Sequence, residues 1–299
     1  MPQKQDMTQT VYCIGSVLWD VIGRTDQALS IGSDVGGRIS RIPGGVALNI
    51  AMALRRFDVA TELLSVVGDD AQGATLLASC RDVGLGTDNV IISPTLPTDQ
   101  YMAIEDANGV VVAIADAHSL EATGIDVLSP FLDGRLGSEA NPFSGTIALD
   151  GNLTEDILGF IATSQAFEGA DLRIAPASPG KAHRLIPMLT HPSACFYINL
   201  EEAQILGAKG ATTALDAAKM LAQANCRRVI VTNGMQSAVE VFGTSVGSAT
   251  PPRVRQVRVT GAGDTLMAAH IAAELGNVAH GQALQMACNA AAHYVSGEE

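Results

Sequence analysis

The sequence predicts an α/β protein built on a doubly wound, mostly parallel sheet flanked by helices, with a small β-sheet lid. Three observations carry this expectation. Short β-branched runs alternate with longer Ala/Leu-rich runs. The strand-like runs are continuously apolar, as in strands covered on both faces. Two segments, 21–43 and 98–116, break the alternation with extended, turn-rich patterns. Composition agrees: 47% of residues are apolar, only 4% are aromatic and 30 are glycine, so Ala, Val, Leu and Ile build the core.

The elements follow in order. Strands are expected over residues 11–15, 62–67, 146–150, 172–175, 195–199, 228–232 and 239–242. Helices are expected over 46–56, 73–83, 154–164, 200–206, 213–225, 264–275 and 282–295. In the second of these, Leu76, Cys80 and Val83 share one face, and Gly84 follows as a stop. Residues 21–43 hold no helical pattern, several glycines and the stop at Pro43. Residues 101–105 and 110–114 read as a hairpin around Asn108-Gly109, a strong turn signal. Both excursions leave the main sheet and return, which divides the chain into an α/β domain (11–20, 44–97 and 117–299) and a β-lid (21–43 and 98–116). Residues 131–144 form a connection punctuated by Gly, Pro and Asn.

Charge excludes some partners. Acidic residues number 31 and basic ones 18, a net charge of −13 that repels phosphate backbones and anionic lipids. Neither nucleic acid nor a membrane is expected. Cys13, Cys80, Cys195, Cys226 and Cys288 are widely spaced and never form a CxxC pair, which fits a reducing cytoplasm rather than a disulfide or zinc framework. The first ten residues are polar, without the apolar centre of a signal peptide.

Several catalytic motifs fail. Gly180-Lys181 is followed by Ala182, so it is no phosphate-binding GxxxxGK[ST] loop. Gly261-Ala262-Gly263 is followed by Leu266, not by the third glycine of a dinucleotide fingerprint. HExxH and GxSxG are absent.

Chemistry concentrates in Val259-Thr260-Gly261-Ala262-Gly263-Asp264-Thr265, which opens an apolar helical run. Glycines let backbone N–H groups approach a ligand, and a helix beginning near Asp264 aims its positive end at the same place. The backbone of Gly261, Ala262 and Gly263 thus suits a transferring phosphoryl group, with Asp264 as base for an attacking hydroxyl. Taken alone, Asp264 reads equally well as a helix cap. Gly44-Gly45 opens another helix carrying Asn49, whose amide donates to and accepts from hydroxyls. Asp20, after the first strand, accepts two sugar hydroxyls or merely shapes a turn. Asn199 with Glu202 reads as a capping box or as a holder of Mg²⁺ through water. Thr232-Asn233-Gly234 ends a strand, either where a nucleotide lies in an open α/β sheet or as a plain strand-ending turn.

These pieces, in this order, resemble the ribokinase-like, phosphofructokinase-B type carbohydrate kinases. The GGxxxN of that family matches Gly44-Gly45 and Asn49, its GAGD matches 261–264, its NxxE matches Asn199 and Glu202, and its TxG matches Thr232 and Gly234. Within the family, Asp150-Gly151-Asn152-Leu153 and Pro176-Ala177-Ser178 with Lys181 look like the strings of bacterial pseudouridine kinases. The resemblance implies ATP and Mg²⁺ as cofactors and a homodimer formed through the lid. It implies Asp264 as base and Asp20, Gly44, Gly45 and Asn49 on the ribose. Tyr101 and Ile114 would face the base, and Asn199, Thr232, Gly234 and Asn289 would lie along the nucleotide, with Glu202 and Asn199 on the metal. The implied reaction phosphorylates the 5′-hydroxyl of a ribosyl nucleoside, pseudouridine first. The alternatives are ribose, adenosine or a keto-sugar acid as acceptor, or a relative that binds without turnover. Four positions depart from the pattern: Arg258 replaces the Asp with which ribokinases hold a potassium-like cation, Leu18 a sugar-binding Asn, Ala175 an Asp, and Ser237 a Gly.

Overall fold

The computed structural model describes residues 10–32, 34–258 and 260–297. The polar start 1–9 and Val259, first residue of the glycine-rich motif, lie outside the described residues. In chain order the strands are β1 (Val11–Ile14), β2 (Leu18–Arg24), β3 (Arg38–Gly44), β4 (Thr61–Leu64), β5 (Val66–Gly68), β6 (Ile91–Ser93) and β7 (Gln100–Asp106). There follow β8 (Gly109–Asp116), β9 (Thr146–Asp150), β10 (Asp171–Ala175), β11 (Ala194–Asn199), β12 (Arg228–Thr232), β13 (Ala238–Phe242) and β14 (Ser245–Ala249). The helices are α1 (Val46–Arg56), α2 (Ala71–Asp82), α3 (Ser119–Thr123), α4 (Glu155–Thr163), α5 (Leu200–Ile205), α6 (Ala214–Gln223), α7 (Ala262–Leu275) and α8 (His280–Ser296).

The main sheet runs β14-β13-β12-β11-β10-β9-β1-β4. From β4 to β12 every pairing is parallel, whereas β13 and β14 join antiparallel at one edge. The central strands alternate their apolar side chains between two cores. Ile14, Ile147, Leu149 and Phe196 pack on one face, against α4 and α6 among others. Val11, Cys13, Ala148 and Cys195 pack on the other, against α1, α2, α7 and α8. Both faces are therefore dry, which is why these strands read as unbroken apolar runs. The chain reverses its direction of winding between β1 and β9, and the crevice at the carboxyl ends of these two strands is where such sheets place their ligands.

Three expectations change. The run 62–67 is not one strand: it breaks at Ser65, whose hydroxyl donates to the Gly15 carbonyl at 2.5 Å. β4 joins the main sheet, while β5 pairs with β6 in a separate ribbon. β14 was not expected, because its small, polar residues lack an apolar run. The 3₁₀ helices over Gly124–Phe131 and Pro179–Met188 also escape a 3.6-residue pattern, each carrying an internal proline. The connection over 131–144 is anchored at both ends, since Phe131 and Phe143 stack edge-on at 5.0 Å and both meet Tyr12.

A second sheet, β3-β2-β7-β8, stands apart from the first. The hairpin between β7 and β8 turns at Ala107-Asn108, one residue before the expected pair, and Gly109, with φ +116°, opens β8 opposite Asp106. Register fixes its two faces, because in-register neighbours point the same way. Asp20 aligns with Tyr101 and Tyr101 with Ala115, whereas Ile114 aligns with Met102. Tyr101 and Ile114 thus lie on opposite faces, and only Tyr101 shares the face of Asp20.

Candidate active site

The crevice between β1 and β9 is organised by hydrogen bonds around Ser16 and Asp150. After β1 the backbone turns at Gly15 and Ser16. The Ser16 N–H and hydroxyl both donate to Asp150 Oδ2 at the end of β9, at 2.8 and 2.5 Å. Asp150 is wholly buried. The same two residues receive the start of α1: Val46 N–H donates to Ser16 Oγ at 2.9 Å and Ala47 N–H to Asp150 Oδ2 at 3.3 Å. α1 can begin this close only because Gly45 has φ +99° and no side chain; a Cβ there would meet the Ser16 carbonyl. Gly44 makes room in the same way for Asp20, whose carboxylate lies where a Gly44 side chain would stand. Burial pushes the Asp20 carboxyl up to about 6.

α7 packs beside α1 on the same face of the sheet. Its first residue is Ala262, and its N-cap is Gly261 in the left-handed region at φ +87°. Asp264 therefore sits in the first turn of the helix and is not its cap, and Gly263 is helical with open space where a Cβ would be. Side chains cap α2, α4, α5 and α6, but none caps α7. Its leading N–H groups and its positive end face the crevice without a carboxylate in the capping position. The Asp264 carboxyl is pushed up to about 7, first by burial and then by the charge of Asp150 and, more weakly, of Glu202, while its hydrogen bond to Asn49 pulls the other way. Asp264, Asn49, Asp150 and Glu202 are thus one electrostatic cluster.

Asn199 and Glu202 form the capping box of α5: Glu202 N–H donates to Asn199 Oδ1 at 2.9 Å, and Asn199 N–H to Glu202 Oε2 at 2.8 Å. The capping reading is therefore realised. It does not prevent a cation from binding: Glu202 is 7% exposed, its carboxyl is raised by burial, and three carboxylates crowd one crevice. That donor set is hard, oxygen-rich and over-negative, and it fits a divalent cation held through water.

Beside the crevice lies an apolar cavity. Thr232 and Gly234 line it from the end of β12, Ala262 and Gly263 from the start of α7, and Ala291 and Val295 from α8. Asn289 does not: it is exposed, and its side chain accepts from Gln285 at 3.0 Å. The neighbouring Cys288, one residue back along the helix, faces the cavity instead. Ser237 is engaged with the Thr250 hydroxyl at 2.8 Å.

Sequence reasoning gave no role to Ser16, Asp150, Asn152 or Lys181. Asn152 donates to Ser16 Oγ and to Asp150, and accepts from Lys181 Nζ at 2.7 Å. Asp150, Asn152 and Lys181 were marked only by the resemblance of their strings, and Ser16 only by its position at the carboxyl end of β1.

Comparison with known proteins decides the family. Residues 8–298 match the model of the pfkB family carbohydrate kinases. The chain belongs to that family. It is a sugar or nucleoside kinase, a phosphotransferase acting on a hydroxyl group. Among relatives in the pfkB family, the chain is 29% identical to a pseudouridine kinase of Escherichia coli (strain K12) over 264 residues, 86% of this chain and 81% of the relative. A carbohydrate kinase from Agrobacterium tumefaciens superposes with a TM-score of 0.78 at 25% identity, covering 95% of this chain and 90% of its own. An Arabidopsis thaliana ribokinase structure complexed with ribose and ATP superposes at 0.77 with 18% identity, covering 97% and 93%. The fold is the ribokinase-like one that the sequence pointed to.

Proposed function

We propose that this kinase transfers the γ-phosphoryl group of ATP to the 5′-hydroxyl of a ribosyl nucleoside, with pseudouridine as the acceptor. The observation that carries the reading is Asp264: a carboxyl raised to about 7, hydrogen-bonded to Asn49, in the first turn of a helix whose N-terminus no side chain caps. A carboxylate in that range accepts a proton near neutral pH. The acceptor O–H gives its proton to Asp264 while its oxygen bonds to the γ-phosphorus, and the bond from that phosphorus to the bridging oxygen breaks, releasing ADP. The N–H groups of Gly261, Ala262 and Gly263 receive the charge of the moving group. Asp20, Gly44, Gly45 and Asn49 hold the ribose. Thr232, Gly234 and the apolar cavity hold the nucleotide. Mg²⁺, held through water by Glu202 and Asn199, would neutralise charge on the β- and γ-phosphates.

Pseudouridine is favoured by the Escherichia coli relative and by the Asn152–Lys181 pair, which offers both donors and acceptors beside Asp150. The four-stranded sheet serves as a lid over the acceptor, with Tyr101 on the acceptor face. Its other face is apolar and open: Ile39, Met102, Ile104, Val112 and Ile114 are all exposed there. Ile114 therefore belongs to the surface that a second copy would cover, which supports a homodimer through the lid. Five buried, unpaired cysteines suit the cytoplasm.

The test is a screen of the purified protein with ATP and Mg²⁺ against pseudouridine, uridine, adenosine, ribose and a keto-sugar acid, read by ADP release and by the mass of the phosphate ester. The proposal expects pseudouridine 5′-phosphate at the highest kcat/KM. Preference for free ribose would overturn the acceptor, and saturable binding without any ester would overturn the kinase assignment of this site.

A further inference from the structure

The turn at Gly261 is backed by the side chain of Tyr294. A Cβ built on Gly261 would stand 2.7 Å from the hydroxyl of Tyr294, so the phenol lies directly behind the turn. Tyr294 is itself held. The Arg258 guanidinium lies over its ring at 3.9 Å from the centroid, and Arg258 Nε donates to its carbonyl at 2.8 Å. Arg56, from the end of α1, approaches the ring at 5.5 Å. The N–H groups of Val257 and Arg258 both donate to the Val295 carbonyl, at 2.9 and 3.2 Å. The segment leading into the turn is therefore tied to the last turns of α8. On the far side of the turn, Thr265 donates to the Gly261 carbonyl through both its N–H and its hydroxyl, each at 2.9 Å.

The same stretch of α8 has a second surface. Ala291, Ala292 and Val295 line the apolar cavity, together with Ala262 and Gly263. One helical end thus touches the cavity with one face and the back of the Gly261 turn with the next.

We propose that Tyr294, clamped by Arg258, is a positioning residue: it sets the backbone of Gly261 to Gly263 for the phosphoryl group. The proposal rests on the reading that this turn receives the transferred group. Tyr294 contacts no reacting atom. It acts through Gly261, whose left-handed conformation has the ring as its wall. With that wall removed, the turn gains space behind it and its N–H groups lose their fixed direction.

The experiment compares wild type with Tyr294→Ala, Tyr294→Phe and Arg258→Ala in the full chain. It measures kcat, KM for ATP and amide hydrogen exchange over residues 260–266. Tyr294→Ala should speed exchange there and lower kcat by about 10²-fold, the scale of a misplacement of roughly 1 Å. Its KM for ATP should stay within about threefold, a small part of such a misplacement effect. Tyr294→Phe keeps the ring and should restore both readouts. Arg258→Ala leaves the ring but removes its clamp, and should shift both in the same direction by less. Unchanged exchange in Tyr294→Ala overturns the proposal, as does a rise in KM that accounts for the whole loss of kcat/KM. The reading beneath it fails separately: wild type that forms no ester sinks the kinase site, while the exchange data still decide what Tyr294 does. If Tyr294→Ala does not fold, Arg258→Ala decides, and normal exchange and kcat in that variant refute the clamp.

Discussion

Replacing Asp264 by Asn should damage catalysis and strengthen the fold at once. The Asp264 carboxyl is raised from 3.8 to about 7, chiefly by burial and then by the charge of Asp150. At about 1.36 kcal/mol per pH unit, that rise corresponds to roughly 4 kcal/mol by which the folded protein disfavours the ionised form. The side chain keeps some solvent access, so screening trims the measurable part to about 2 kcal/mol. The sign is that of a raised acid. The stability this group contributes is fully present below the unfolded value near 3.8. It is lost as pH rises towards about 7, and it stays lost above that. Asn carries no charge at any pH. Asp264→Asn should therefore unfold at higher denaturant than wild type at pH 8, and the gap should close towards pH 4. Activity should fall by about 10²- to 10⁴-fold, the usual contribution of a general base. Urea melts at pH 4.5, 6 and 8, with turnover at pH 8, test both halves. A wild-type rate in Asp264→Asn refutes the base, and a stability gap that does not widen with pH refutes the electrostatic account.

Other outcomes follow from the same geometry. The kcat/KM of wild type should climb with pH through a limb near 7, and Asp150→Asn, which removes the like charge beside Asp264, should move that limb to lower pH. Burial holds Asp20 near 6, so KM for the acceptor should rise below that pH while KM for ATP stays level in a pH series. Gly263→Ala should fold normally, because the position is helical and open. Gly261→Ala should lose both activity and stability, because φ is +87° and the new methyl meets Tyr294; thermal melts separate the two variants. Glu274 receives Arg173 at 2.6 Å and Arg228 at 2.5 Å. Glu274→Ala leaves Arg173 with Asp171 and Arg228 with Glu240 but removes one carboxylate partner from each, and should cost about 1.5–3 kcal/mol in denaturant melts.

Much of this was legible in the sequence, and the exceptions have physical causes. α1 spans the residues expected of it because the glycine pair and the apolar spacing mark both its start and its buried face. The antiparallel β14 carries no such mark, because its strand is built from Ser and Gly at an edge. The residues of the candidate site could be picked out, but not their geometry. An acidic residue early in a helix looks like a cap until the backbone is seen, and only the φ of Gly261 moves the boundary and turns Asp264 into a first-turn residue. Tyr101 and Ile114 read as equivalent lid positions, and the register of β7 against β8 separates them. Asp150 ends a strand like any other acidic residue. Its significance comes from Ser16, more than 130 positions away, which no local pattern connects to it.

The two ends of α7 have unlike surroundings. Asp264 begins it at the crevice, and ten residues later, about 15 Å along the axis, Glu274 is gripped by Arg173, Arg228 and His280. A rod pinned so firmly at its foot cannot slide lengthwise when substrates arrive. Whatever travel the catalytic cycle demands must come from lighter parts, the outlying strands, while its shaft serves as the stationary reference against which they close.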